Sequence, residues 1–407
     1  MYENWLIAMA FLTTGCIFID RFAPVYLSPL FIKDLHMTRA ELGAVIGFLS
    51  VGWGISAWVV GSLSDKYGRR VVIIPAVALF SLISAVTGLV QSLVQMIVVR
   101  FLVGGAAGAA LTPTYATVAA EASRGRRGLD MGVTQSSVPL VGRALAPVLI
   151  TLLGSAWGWR LGFALSALPG LAMAAILWRY MREPSTRQSA LPQDRVSVFA
   201  VFRYWNIRLA IISGFLFGTM NACAYGFLPL YLTGAAYKLS LPATGAVLGA
   251  SGFATFVANV AGPFLSDRVG RKPVLFVSSL CMGTASLAPT FGLPLRSMVT
   301  VFILLNLGSA GIALVVGVIP TETVPRTVAA TAVALPVFAL EVGGSFVMPI
   351  VAGAIADALH NPALPLIIGG TAALMVVFIT PFYRETAPSK LAAAARPSPE
   401  AAQPERP

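Results

Sequence analysis

A chain of 407 residues in which 57% are hydrophobic and 11% charged is not an ordinary soluble domain, where charged residues make up roughly 25%. Its formal charge of +12 would suggest a nucleic-acid partner in a soluble protein. Here apolar runs of about 20 residues recur from end to end, each long enough to cross a hydrocarbon core of roughly 30 Å as a helix. The lipid bilayer is therefore the expected solvent, no nucleic acid is expected as a partner, and the distribution of positive residues matters more than their sum.

Hydropathy predicts twelve spans, near 5–30, 41–61, 71–92, 94–120, 129–153, 160–180, 208–233, 243–263, 273–292, 297–320, 328–356 and 364–383. The opening Met1-Tyr2-Glu3-Asn4 lacks the basic region of a signal peptide, and its apolar run is too long for one, so the first helix is expected in the mature protein. Residues 1–180 read as one six-helix bundle and 208–384 as a second. Between them 181–207 carries Pro184, Ser185, Thr186, Gln188 and Pro192 with no apolar periodicity, the pattern of a linker. The Ala- and Pro-rich tail, 385–407, has too little bulky apolar content to bury a core and is expected to be disordered.

Most of the 28 Lys and Arg fall on one side of these spans, among them Lys66, Arg124, Arg126, Arg127, Arg268, Lys272, Arg326 and the six arginines between 179 and 208. The opposite side holds Lys33, Arg39, Arg160, Lys238 and Arg296. The positive-inside rule then predicts a multi-pass protein of the inner (plasma) membrane with both termini in the cytoplasm.

The chain also repeats itself. Gly61-Ser62-Leu63-Ser64-Asp65-Lys66-Tyr67-Gly68-Arg69-Arg70 returns as Pro263-Phe264-Leu265-Ser266-Asp267-Arg268-Val269-Gly270-Arg271-Lys272, with Asp65 and Asp267 202 positions apart. At the same offset Gly43-Ala44-Val45-Ile46-Gly47 returns as Gly245-Ala246-Val247-Leu248-Gly249, and Gly142 with Pro147 as Gly344 with Pro349. Two like-oriented six-span halves are related by an axis along the membrane normal, an arrangement in which two bundles rock about a central site.

Residues 61–70 match fully the form G-x-L-x-D-K/R-x-G-K/R-K/R, the signature loop between helices two and three of the major facilitator superfamily, and the chain resembles that family over about residues 5–385. The second copy departs from it by Pro263 in place of the first Gly. The resemblance implies an all-α membrane protein with two pseudo-symmetric six-helix bundles, working as a secondary transporter by alternating access. It implies no cofactor beyond a proton gradient, and the chain is expected to be monomeric in the bilayer with a small molecule as its partner. In the family, acids and arginines of this loop form a cytoplasmic latch that holds the outward-facing state. Here the corresponding residues are Gly61, Asp65, Gly68, Arg69, Arg70 and Glu121 in one half, with Asp267, Arg271 and Glu322 in the other. Asp65 closes a helix where a carboxylate can sit against the positive end of a neighbouring helix.

An ionisable residue inside a span costs at least about 2.5 to 3.5 kcal/mol on insertion scales, so each is a functional candidate. Asp20 and Arg21 lie in the first span, Arg100 in the fourth, Arg143 in the fifth and Glu341 in the eleventh. Counted from the span ends, Asp20, Arg100 and Arg143 share a level roughly 9 to 15 Å deep. Within the family, an acid on the first helix paired with the Arg of R-x-x-x-G on the fourth is a recurrent proton-coupling device, and Arg100-Phe101-Leu102-Val103-Gly104 fits it. Small changes in distance or wetting can load or unload a proton on such an acid. Asp20 is thus the expected proton carrier, Arg100 its partner and Glu341 any second proton site.

The pair Asp20-Arg21 also resembles that of the organic anion:cation and aromatic acid:proton symporter branches, whose first-span Arg binds a substrate carboxylate. Those symporters usually carry a Glu seven residues after the span-four Arg, where this chain has Ala107. Arg143 has Ser345 as its repeat mate, an asymmetric addition to the scaffold. Together the arginines favour an anionic substrate held bidentately. Arg21 and Arg143 are therefore expected to bind substrate, with Asn221 and Tyr225, four apart on one helix face, as contacts from the other half. Asn259 and Asn306 can line a cavity or join helices, and Pro113, Pro139, Pro147, Pro336 and Pro349 can bend them.

The expected function is proton-coupled uptake of a small organic anion, an aromatic or aliphatic carboxylate. The alternative is export of drugs or metabolites by proton antiport. Exporters of the family typically carry Gly-x3-Gly-Pro-x2-Gly-Gly in span five, and the segment Val141 to Pro147 lacks it. Cys16, Cys223 and Cys281 fall in apolar runs as small buried hydrophobes. With no metal-ligand cluster or nucleophile motif, and with His36 and His360 in loops, a membrane enzyme has no support in the sequence.

Overall fold

The computed structural model describes residues 2–123, 126–183, 201–325 and 328–390. Among the described residues ten stretches are long and apolar enough to cross a membrane, and one of them, Gly128–Tyr180, is broken where Gly158 leaves the helical region. With Arg39–Tyr67 this makes twelve helices: α1 Tyr2–Asp34, α2 Arg39–Tyr67, α3 Arg69–Leu89, α4 Leu93–Glu121, α5 128–157, α6 159–180, α7 Trp205–Thr233, α8 Leu241–Val269, α9 Arg271–Phe291, α10 Leu295–Thr323, α11 Thr331–Ala358 and α12 Leu364–Phe382. Leu79, Val98 and Phe378, on α3, α4 and α12, are among the large apolar side chains left half or more exposed, as they would be against hydrocarbon.

The internal repeat is visible in the backbone. Thr38 caps α2 by accepting from the Glu41 N–H, and its mate Ser240 caps α8 by accepting from Ala243. Six of the seven positive-φ positions among the described residues pair at the same offset: His36 with Lys238, Gly158 with His360, and Gly68 with Gly270. At Gly68 and Gly270 φ is 104° and 114°, a region that a side chain strongly disfavours. Both signature loops therefore turn on a glycine.

The loops around residues 68, 122, 182, 204, 270, 324 and 384 gather on one face, here termed the basic face, and residues 34–39 and 358–364 on the opposite one. The halves meet toward the opposite face. One hydrophobic cluster there takes Leu27, Leu42, Val45 and Ile150 from the first half together with Phe227, Leu232, Leu248 and Phe302 from the second. Nearer the basic face the clusters separate, one around Phe80 and Leu177 in the first half and others around Phe217 and Val328 in the second.

The close approach rests on the repeated glycines. A Cβ on Gly43 would lie 2.2 Å from the Pro349 carbonyl oxygen, and one on Gly245 would lie 2.6 Å from the Pro147 carbonyl oxygen, so α2 packs on α11 and α8 on α5 at near-backbone distance. Arg39 on α2 adds an ion pair with Asp357 on α11 at 3.1 Å, and the Ala40 N–H donates to the same carboxylate at 2.9 Å. The molecule is closed at the opposite face and parted toward the basic one.

One boundary lies beyond the expected one. Residues 385–390 belong to the second bundle: Glu385 accepts from the N–H groups of Arg271 and Lys272, Thr386 donates to Glu322, and Ala387 is buried. The sequence hid this because a single carboxylate anchors the segment, with no apolar run to announce it. The rest of the expected tail, 391–407, and linker residues 184–200 lie outside the described residues.

Candidate functional site

Four helices depart from regular α geometry into wider i→i+5 turns: Val138–Leu145 in α5, Met220–Tyr225 in α7, Leu314–Val318 in α10 and Ala339–Val347 in α11. In α5 and α11 prolines stand at both ends of the widened stretch, Pro139 and Pro147, Pro336 and Pro349. A proline removes an N–H from the helical ladder, and a single widened turn is a frequent way to re-aim side chains. Three of these turns carry Arg143, Asn221 with Tyr225, and Glu341.

Those turns border a cavity between the halves that, counted with its open mouth, encloses about 830 Å³. Arg21 and Arg143 line it from the first half and Asn221, Tyr225, Ser251 and Thr255 from the second, with Phe22, Tyr26, Val45, Ile46, Leu49 and Leu248 as apolar walls. The Arg143 guanidinium donates to Asn221 Oδ1 and lies over the rings of Phe22 and Tyr225, 5.3 and 5.4 Å from their centroids. Tyr225 in turn donates to Asn306 Oδ1 at 2.6 Å. Asn306 is buried behind the wall and fixes the tyrosine, while Asn259 is not part of the lining.

Arg21 is held otherwise. Its Nη2 pairs with Glu341 Oε2 across the halves at 2.5 Å, Ser50 Oγ donates to the same oxygen at 3.2 Å, and the guanidinium stacks on Trp53 at 4.4 Å. Glu341 stands just behind the cavity wall. It is Arg21, and not Arg143, that engages it.

The expected Asp20 to Arg100 pair does not form. Asp20 is 1% exposed, accepts from Ser166 Oγ at 3.0 Å through Oδ1, and has no partner at Oδ2. Arg100 is fully buried, donates to Thr87, lies over Phe163, and leaves Nε and Nη1 without partners. Neither lines the cavity. Successive residues of a helix point about 100° apart, so a turn of α1 that aims Arg21 at the cavity aims Asp20 into its own bundle, against α6. Depth along the span was readable; direction around it was not.

At the basic face several ties join helices of the same half. Arg271 holds Glu322 through two hydrogen bonds, 2.7 and 3.1 Å, and Asp267 at 2.5 Å. In the first half Arg69 donates to the Ala116 carbonyl and Arg70 to that of Trp178, and Glu121 closes α4 as Glu322 closes α10. Gly61 lies inside α2 and the side chain of Asp65 lies outside the described residues. In the second half the expected latch residues Asp267, Arg271 and Glu322 tie neighbouring helices of one bundle.

One pair of site residues escaped the sequence reading. Glu183 accepts from the backbone N–H groups of Arg69 and Arg70 at 2.6 and 2.9 Å, and Glu385 accepts from those of Arg271 and Lys272 at 2.8 and 3.2 Å. Each tethers the chain after the last helix of its half to the positive end of α3 or α9, whose N-cap glycines supply no side chain of their own. The signal was available: Arg182-Glu183 and Arg384-Glu385 stand 202 positions apart. The aromatic stripe Phe18, Phe22, Tyr26 on α1, at a spacing of four, likewise marked the cavity side of that helix.

Partial burial works against the Glu385 carboxylate, but the N–H groups of Arg271, Ala387, Lys272 and Thr386 hold it below its ordinary value of 4.5. A depressed value means stabilisation that is present above the unfolded-state value and lost as pH falls through the folded one. Glu385→Gln should therefore lower the thermal unfolding midpoint at pH 7, by the equivalent of about 1 kcal/mol, the usual loss of a helix cap. The difference should begin to shrink below roughly pH 4, near the free value for Glu, and vanish only once pH has fallen through the lower folded-state value.

Comparison with known proteins agrees with this architecture. The family model described as Major Facilitator Superfamily matches residues 10–237 and 210–405. A probable 4-methylmuconolactone transporter of Cupriavidus pinatubonensis is 29% identical over 333 residues, covering 79% of this chain and 76% of its own. The hexuronate transporter of Bacillus subtilis is 25% identical over 299 residues, 69% of each chain. Among solved structures, the nucleoside transporter NupG superposes with a TM-score of 0.75 at 15% identity, over 94% of this chain and 100% of that one, a likeness of fold alone.

Proposed function

The chain belongs to the major facilitator superfamily of membrane transporters, and from that premise we propose that it takes up a small organic monocarboxylate together with protons. The observation that carries this reading is the cavity between the halves. Two guanidiniums from one half face hydrogen-bonding side chains of the other, over walls that are otherwise aromatic and aliphatic. A planar guanidinium recognises a carboxylate through two parallel hydrogen bonds, and the apolar walls suit an uncharged body. Relatives named for 4-methylmuconolactone and hexuronate support an acidic or sugar-acid substrate class.

In this reading the basic face is cytoplasmic, by the positive-inside rule, in the inner (plasma) membrane, and the state described is inward-facing. The carrier works as a monomer with the proton gradient as its energy source. Asp20, Arg100 and Glu341 are the groups that register the proton. Asp20 and Arg100 are both fully buried without forming an ion pair with each other, and a proton on Asp20 removes the cost of burying its own charge. The networks of Asp65, Arg69, Arg70 and Glu121, and of Asp267, Arg271 and Glu322, serve as the cytoplasmic gate.

Uptake into proteoliposomes tests the proposal. Aromatic and aliphatic monocarboxylates should accumulate when the outside is acidic and should not when the gradient is collapsed. Accumulation of lipophilic cations alone would refute it.

A further inference from the structure

We propose that the basic face carries a binding site for the headgroup of an anionic phospholipid, at the corner where α7 begins and α10 and α12 end. A cleft there, enclosing about 850 Å³ counted with its open mouth, is lined by Arg203, Arg208 and Arg384, with Tyr204 and Trp205 beside them. Buried Asn206 fixes the corner. Its Oδ1 accepts from the Arg384 N–H at 2.8 Å and its Nδ2 donates to the Arg384 carbonyl at 3.0 Å, so the chain leaving α12 is held against the first turn of α7. The Arg208 guanidinium lies over the Trp205 ring, 4.8 Å from its centroid, and Arg203 donates to Tyr204 Oη at 3.3 Å.

The charge of this cleft is uncompensated from within. Among the described residues none of the three arginines pairs with a carboxylate. Two acids also line the cleft, Glu322 and Glu385, and both are committed elsewhere. Arg271 holds Glu322 at 2.7 and 3.1 Å and Thr386 donates to it at 2.7 Å, while Glu385 accepts from the N–H groups of Arg271 and Lys272. A phosphate complements three such guanidiniums, each of which can bind it through two parallel hydrogen bonds.

What surrounds the cleft selects a lipid over a soluble phosphate. The Trp205 indole N–H donates to the Phe382 carbonyl at 2.8 Å, and Tyr383 donates to Ser213 at 3.1 Å, so α7 and α12 are neighbours here. Apolar side chains continue from the cleft along both helices: Ile212 lies four residues beyond Arg208 on one face of α7, and Phe378 four before Phe382 on α12, all three exposed. A headgroup in the cleft leaves its acyl chains to lie on these side chains, at the membrane boundary where Trp anchors and Arg stems reach up to the polar layer. The first half lacks such a corner. At the offset of 202, Tyr204, Asn206 and Arg384 correspond to Tyr2, Asn4 and Arg182, but Trp205 corresponds to Glu3 and Arg208 to Leu6, and Glu3 accepts from the Ser123 N–H at 2.9 Å. The basic cleft is therefore an addition to the second half and not part of the repeated scaffold.

Native mass spectrometry of the full chain, in mild detergent with equal amounts of dioleoyl phosphatidylglycerol and dioleoyl phosphatidylcholine, tests the site. Wild type should retain phosphatidylglycerol over phosphatidylcholine by about tenfold or more, given a gain of roughly fivefold per basic residue near an anionic surface. The combined variant Arg203→Gln, Arg208→Gln and Arg384→Gln should retain the two lipids equally. Arg179→Gln, Arg182→Gln and Arg268→Gln together remove as many charges from exposed positions elsewhere on the same face, and this variant should keep the wild-type preference. Equal retention of both lipids by wild type, or the same loss of preference in both triple variants, overturns the site. Wild type alone decides the source of the phosphate, so this arm stands even if the first variant fails to fold. Millimolar inorganic phosphate or glycerol 3-phosphate should leave the bound lipid in place, and displacement by either overturns the lipid in favour of a soluble anion. None of these readings depends on what the central cavity carries.

Discussion

Arg143→Lys should weaken binding of a transported carboxylate about tenfold or more, because the charge is kept and the planar fork is lost. Hydrogen bonds to charged groups contribute roughly 1.5 to 3 kcal/mol, and each 1.4 kcal/mol is a factor of ten in affinity. The fork matters here for a specific reason. The guanidinium lies over the Phe22 and Tyr225 rings while donating to Asn221, and an ammonium cannot stack and donate in one plane. Arg143→Ala should lose more, and Asn221→Ala less, since the amide only orients the arginine. The competing role, a strut between α5 and α7 that leaves the ligand untouched, gives a different pattern. Affinity would then stay unchanged in both Arg143 variants while transport fell, and a result of that kind, read by calorimetry, would remove Arg143 from the binding site.

Asp20→Asn should abolish accumulation driven by a pH gradient while substrate still exchanges across the membrane. The amide copies the size and the neutral state of a protonated carboxyl, and Ser166 can still donate to its Oδ1. What it lacks is the charge whose appearance beside Arg100, at 1% exposure, the bundle tolerates only in part of the cycle. Counterflow and gradient-driven uptake in the same proteoliposomes separate the outcomes. If Asp20→Asn concentrates substrate as wild type does, the acid is a structural member of the first bundle.

Much of the architecture was legible because the repeat was. The offset of 202 placed Gly43 beside Gly245, and both mark where a helix of one half lies against the other. It also placed Asp267 and Arg271 in register with Asp65 and Arg69, and the second copy is the network seen on α8, α9 and α10. The same offset pointed to Glu183 and Glu385, which went unread because an acid just past a span looks like ordinary loop polarity.

The cavity was legible in part. Arg21, Arg143, Asn221 and Tyr225, singled out by residue type and span, all line it. The partners of the charges did not follow from depth, since Asp20 and Arg21 are neighbours in sequence yet face about 100° apart. Glu341 reaches Arg21 from a widened turn whose position depends on how two prolines are accommodated, a tertiary outcome that periodicity does not encode.

The central claim is that the cavity between the halves carries a monocarboxylate and a proton in the same direction. Proteoliposomes loaded with a pH-sensitive dye report it directly when aromatic and aliphatic monocarboxylates, and separately lipophilic cations, are added outside at equal pH on both sides. A carboxylate should acidify the lumen through wild-type protein and fail to do so through Arg143→Ala. Alkalinisation of the lumen on addition of a cation, with no response to any carboxylate, would contradict it.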